Sequence, residues 1–95
     1  MGYKLYEYHS GDLKIGLIIS DKEQLLYLGD TLYSARTNKT LDKKVLNSDI
    51  TGRGLVQVSL DPLTVTIAGT EVQPVYTHEA TDKTSILQHW QSRIH

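Results

Sequence analysis

The chain has 95 residues, which is too little material for two independent cores, so one domain spanning 1–95 is expected. Ten Lys and Arg against eleven Asp and Glu leave a net charge of −1, which removes the overall steering field of a dedicated nucleic-acid or membrane-surface protein. The absence of cysteine excludes disulfides, thiolate catalysis, zinc–thiolate centres and iron–sulfur clusters.

Leu, Ile, Val and Thr dominate over aromatic residues, with one Trp, six Tyr and no Phe, a balance that favours strands. The opening MGYKLYEYHS has no apolar leader core, and Tyr6 stands where a myristoylation signal needs Ser or Thr. The longest uncharged apolar run, Ile15 to Ile19, is far too short to span a bilayer. A cytoplasmic protein with no membrane segment is expected, because small secreted domains commonly carry disulfides.

Tyr3 to Ser10 reads as a strand with Tyr on both faces, followed by a turn at Ser10-Gly11. Leu13, Ile15, Leu17 and Ile19 then alternate at period two, and Ile18 adds apolar character to the opposite face. That strand is either central or part of an interface. Residues 20–36 carry two conflicting signals. Ser20 with Glu23 matches a capping box, and Leu25, Leu28, Leu32 and Ala35 fit a helical stripe. Gly29-Asp30, set between LLYL and TLYS, instead fits a two-residue hairpin turn, and a mid-helix Gly costs about 1 kcal/mol. The hairpin is the preferred reading.

Residues 37–52 are polar and turn-rich, with one short element around Lys43 to Leu46. The clearest pattern follows: Val56, Val58 and Leu60 on one face, then Leu63, Val65 and Ile67, joined at Asp61-Pro62. Ala68-Gly69-Thr70 turns the chain into EVQPVYTHE, where Pro74 implies an edge strand or a bulge. The last segment is an amphipathic helix over about 82–94, capped by Thr81 or Asp82, with Ile86, Leu87, Trp90 and Ile94 on one stripe. The expected class is α+β, mostly β: an antiparallel sheet or small barrel of five to seven short strands over 3–79, with a C-terminal helix packed on it.

Chemistry-bearing motifs are sparse. The loop Gly52-Arg53-Gly54 lacks the third glycine of a dinucleotide fingerprint and the Lys-Ser/Thr of a phosphate loop, and it leads into a strand. It is a turn first, with an arginine able to fork an anion. His89 and His95 are roughly 240° apart around a helix and cannot share a metal. His78-Glu79 are neighbours on a strand and point to opposite faces. The four histidines are read as ordinary surface residues; no catalytic set, metal or cofactor is implied.

Apolar character on more than one strand face exceeds what one helix can cover. The expectation is therefore a non-enzymatic binding or interaction module that forms a homo-oligomer, its interface drawing on Ile18, Leu26 and Trp90. Its partner is a protein or a small anionic, phosphate-bearing ligand, met by Gly52, Arg53, Gly54, Arg36, Tyr6 and Tyr8. A small accessory protein of a phage or mobile element fits this profile. The first alternative is a single-stranded nucleic-acid-binding domain using the basic segment Arg36 to Lys44 with Tyr3, Tyr6 and Tyr8. The second is a small hydrolase-like enzyme using His78 and Glu79.

Overall fold

The computed structural model describes residues 2–37, 44–49, 55–60 and 62–95, with only the backbone for 44–49 and residue 55. The described residues form nine strands and one helix: β1 (Tyr3–Ser10), β2 (Leu13–Ile19), β3 (Glu23–Leu28), β4 (Thr31–Thr37), β5 (Lys44–Asp49), β6 (Leu55–Ser59), β7 (Thr64–Ile67), β8 (Thr70–Val72), β9 (Tyr76–Ala80) and α1 (Lys83–Ile94). All strand pairs are antiparallel. The class is α+β, mostly β, and of the two architectures open to the sequence it is the sheet rather than the barrel. The strand count exceeds the expected five to seven because the short element near Lys43 to Leu46 is a strand, β5, and the EVQPVYTHE run is divided between two strands.

The chain divides into two compact units, Met1–Lys39 with Pro74–His95, and Thr40–Gln73. In the first, five strands lie in the order β4-β3-β2-β1-β9. Its hairpins β1–β2 and β3–β4 close on Gly11-Asp12 and Gly29-Asp30, where the glycines take φ of 64° and 60°. Positive φ at the first central position is the II′ pattern, whose twist matches that of the flanking strands. The hairpin reading of 20–36 therefore holds, and Ser20 has a different task from helix capping. Its Oγ accepts from the amides of Lys22 and Glu23, both at 3.1 Å, while its own amide donates to the Glu23 carbonyl at 3.0 Å. The capping signature is satisfied in a turn between two strands, which needs the same side-chain-to-backbone bonds.

In the second unit the strand order is β5-β6-β7-β8. Val56 and Val58 on β6 and Val65 and Ile67 on β7 are buried at period two, as their alternation requires. The β7–β8 hairpin closes on Ala68-Gly69 with φ of 53° and 82°. Pro74 stands where the chain leaves this sheet. β8 before it and β9 after it belong to different sheets, each as an edge strand.

Helix α1 lies on one face of the five-stranded sheet. Asp82 caps it, accepting from the Ser85 amide at 2.7 Å, and the bond holds the carboxyl below its ordinary pKa. Ile86 and Trp90 pack with Leu5, Ile18 and Leu25 into a buried cluster, flanked by Tyr3, Tyr27, Ala80, Leu87 and Ile94. The proposed interface residues Ile18 and Trp90 are thus the centre of this core. Leu26, third of that set, faces the other side of the sheet and is also buried, as are Tyr8, Ile15 and Leu17. All three side chains are packed within the chain itself. β2 is a central strand covered on both faces, which is why GLIIS reads as surplus apolar surface. No described helix is long and apolar enough to cross a membrane.

Candidate functional site

At the C-terminal end of α1, three elements converge on a buried carboxylate. Period two places Leu5, Glu7 and His9 of β1 on the helix-bearing face. Glu7 is 0% exposed. Cross-strand pairing sets it between Gly16 of β2 and Tyr76 of β9. A buried carboxylate needs charge-matched partners, and Glu7 has two. Arg93 Nε donates to one oxygen at 2.8 Å and His9 Nε2 lies 2.5 Å from the other. Burial pushes the Glu7 carboxyl up, but the bonds from Arg93 and His9 outweigh it and hold it below its ordinary range. The same contact raises Arg93 further above its already high value.

Arg93 is held from two other sides. Its guanidinium carbon is 3.8 Å from the centroid of the Tyr76 ring, a cation–π contact. Its carbonyl accepts from Lys14 Nζ at 2.9 Å. Tyr76 continues the chain of contacts, its hydroxyl 2.7 Å from His89 Nε2. The His89 ring lies on His78, with centroids 3.5 Å apart and planes within 10°. Burial, then the charges of His78 and Arg93, hold His89 below its ordinary pKa. The lowered pKa favours the neutral ring, and the direction of its hydrogen bond with the Tyr76 hydroxyl is set by the His89 tautomer.

The set Glu7, His9, Tyr76, His78, His89 and Arg93 gathers three of the four histidines read from sequence as separate surface residues. One signal was available. Ile86, His89, Trp90 and Arg93 follow i, i+3, i+4 and i+7, one helical stripe that joins the polar pair to the core pair. The β partner could not be read locally, since Glu7 and Arg93 are 86 positions apart. No protein-family model, curated protein or solved structure matches this chain. Its function has to be argued from the site alone.

The other end of α1 is tied down by a second carboxylate. Glu23 accepts from the Tyr3 hydroxyl at 2.8 Å and from Lys83 Nζ at 3.2 Å. The Tyr3 bond first, and Lys83 with it, lower the Glu23 pKa against a smaller opposing effect of burial.

The remaining candidates from sequence are not brought together. Gly52, Arg53 and Gly54 lie outside the described residues, as do Lys39 and Lys43. Arg36 is exposed on β4, three strand spacings from β1, roughly 14 Å. Tyr6 is half-buried beneath Lys4, whose Nζ is 5.1 Å from its ring centroid. Tyr8 is buried, its phenol pushed up to about 12 mainly by that burial, and it offers no face on which a base could stack. His78 faces the helix while Glu79 is exposed, so they form no acid–base pair across the strand. Among the described residues no three His, Asp or Glu side chains gather to hold a metal.

Proposed function

We infer that the chain is a non-enzymatic interaction module that self-associates through an edge strand of its five-stranded sheet. The observation that carries this reading is β4. It is a seven-residue edge strand with Leu32 at 47% and Tyr33 at 41% exposure, two of the three large apolar side chains among the described residues that stand out into solvent. An edge strand presents unpaired backbone donors and acceptors, and natural edges are usually blunted by several charges, by Pro or by extreme shortness. β4 has a single charge, Arg36, and no Pro.

A second copy is the occupant that the strand itself fits. An antiparallel two-fold pairing centred on Ser34 keeps the two Arg36 side chains apart, so no like charges meet. The cluster around Glu7 supports the non-enzymatic part of the reading, because both Glu7 oxygens, Arg93 Nε, His9 Nε2, the Tyr76 hydroxyl and His89 Nε2 are committed to one another. One strand pair is small for a protein interface, so the dimer is expected to be weak and concentration-dependent.

Sedimentation of the wild-type chain and of Leu32→Lys tests the reading. Reversible dimerisation in the wild type and a monomer in the variant are expected, with both chains equally folded, since residue 32 is exposed. A wild-type monomer at every concentration, or a variant that dimerises equally well, overturns it.

A further inference from the structure

The geometry points to a proton-sensitive latch: the His78–His89 stack holds the C-terminal half of α1 on the sheet while at most one ring is charged, and releases it when both are. With centroids 3.5 Å apart and planes within 10°, the two imidazoles are in full face contact. Two imidazolium ions cannot share that arrangement without strong repulsion. Protonation of His89 makes both ring nitrogens donors, so the 2.7 Å contact of Nε2 with Tyr76 then requires the hydroxyl to accept.

The surroundings make the second charge harder to place. From α1 itself Arg93 contributes a permanent positive charge, and from β2 Lys14 contributes another at the Arg93 carbonyl. Tyr76 of β9 is neutral. From β1 come Glu7 and His9, and Glu7 is the one carboxylate of the set. Both of its oxygens are already engaged, one by Arg93 and one by His9. Glu79 is the next residue to His78, but it is exposed on the far face of β9. Among the described residues, a second imidazolium thus has no uncommitted carboxylate facing it.

The sign follows from linkage. His89 has its pKa lowered in the folded chain from the ordinary 6.5, so the unfolded or undocked helix binds the proton more readily. The docking contribution is complete above about pH 6.5 and is lost as pH falls toward and through the lower folded value.

Trp90 is a built-in reporter, being the single Trp, buried against Gly16, with Nε1 donating to the Gly29 carbonyl at 2.8 Å. The experiment follows Trp90 fluorescence and amide hydrogen exchange in α1 from about pH 7.5 to about pH 3.5, a span that covers the ordinary titration of imidazoles and then of carboxylates. It uses the wild type, His78→Phe, which keeps a ring but not the charge, and His9→Gln as a control. In the wild type and in His9→Gln, the opening equilibrium of the last turns of α1, after correction for the intrinsic exchange rate, rises by up to about tenfold per pH unit for one linked proton, and Trp90 becomes solvent-exposed. In His78→Phe that dependence is weaker, because burial and Arg93 still disfavour a charge on His89 but the facing imidazole does not. An equal pH dependence in His78→Phe, or a wild-type transition confined to the carboxylate range near pH 4, overturns the latch. Should His78→Phe fail to fold, imidazole proton resonances of the wild type decide instead. Mutually dependent titration of His78 and His89 together with Trp90 exposure supports it, and independent titration with Trp90 unmoved overturns it.

Discussion

Gly16 and Trp90 are in direct contact across the sheet–helix interface: a Cβ placed on Gly16 would lie 2.7 Å from Trp90 Cε2. The missing side chain on β2 is what lets the indole lie flat against the sheet, reach the Gly29 carbonyl and close the core under α1. It also leaves the neighbouring Glu7 position, paired with Gly16, within reach of Arg93 one helical turn beyond Trp90.

Gly16→Ala is therefore expected to destabilise the chain by about 1–3 kcal/mol through overpacking against a ring that has no room to retreat. For a domain of this size each kcal/mol shifts Tm by roughly 4–8 °C. Thermal unfolding followed by Trp90 fluorescence measures it, and an unchanged Tm would show that the indole moves aside freely.

Arg93→Gln should convert Glu7 from a stabilising carboxylate into a buried acid. In the wild type its folded pKa is depressed below the ordinary 4.5, despite the opposing effect of burial, by the bonds from Arg93 and His9. Its contribution is present above about pH 4.5 and is lost as pH falls through the lower folded value. Without the guanidinium, burial dominates and Glu7 titrates higher. The Tm deficit of Arg93→Gln should then be largest near neutrality and shrink on acidification. A deficit that is constant with pH contradicts the assignment of Arg93 as the main partner.

Ala68 has φ of 53° in the two-residue turn between β7 and β8, where the following Gly69 is also positive. A type I′ turn asks for Asn or Gly at that first position. Ala68→Asn or Ala68→Gly should stabilise the hairpin by on the order of 1 kcal/mol, because left-handed backbone costs Ala roughly that much more. Denaturant midpoints of the variants and the wild type check the sign.

Much of the fold is legible because it is local. Gly-Asp pairs at 11–12 and 29–30 mark their hairpins, Asp82 marks the helix start, and period-two alternation in LVQVSL and LTVTI gives β6 and β7. Two things resisted a local reading. EVQPVYTHE looks like one interrupted strand, yet Pro74 sends its halves to different sheets, a matter of global topology. The cluster around Glu7 is assembled from β1, β9 and α1, so neither the burial of Glu7 nor the pairing of His78 with His89 has a signature in neighbouring residues. The apolar second face of β2 was readable, but whether such a face meets the chain itself or another copy depends on packing that periodicity does not encode.

Self-association through β4 is tested most directly by amide hydrogen exchange measured as a function of protein concentration. If two copies pair along this edge, protection along β4 rises with concentration, while that of the other edge strands, β5, β8 and β9, does not change. Exchange along β4 that is the same at every concentration, or protection that rises at another edge instead, contradicts the assignment.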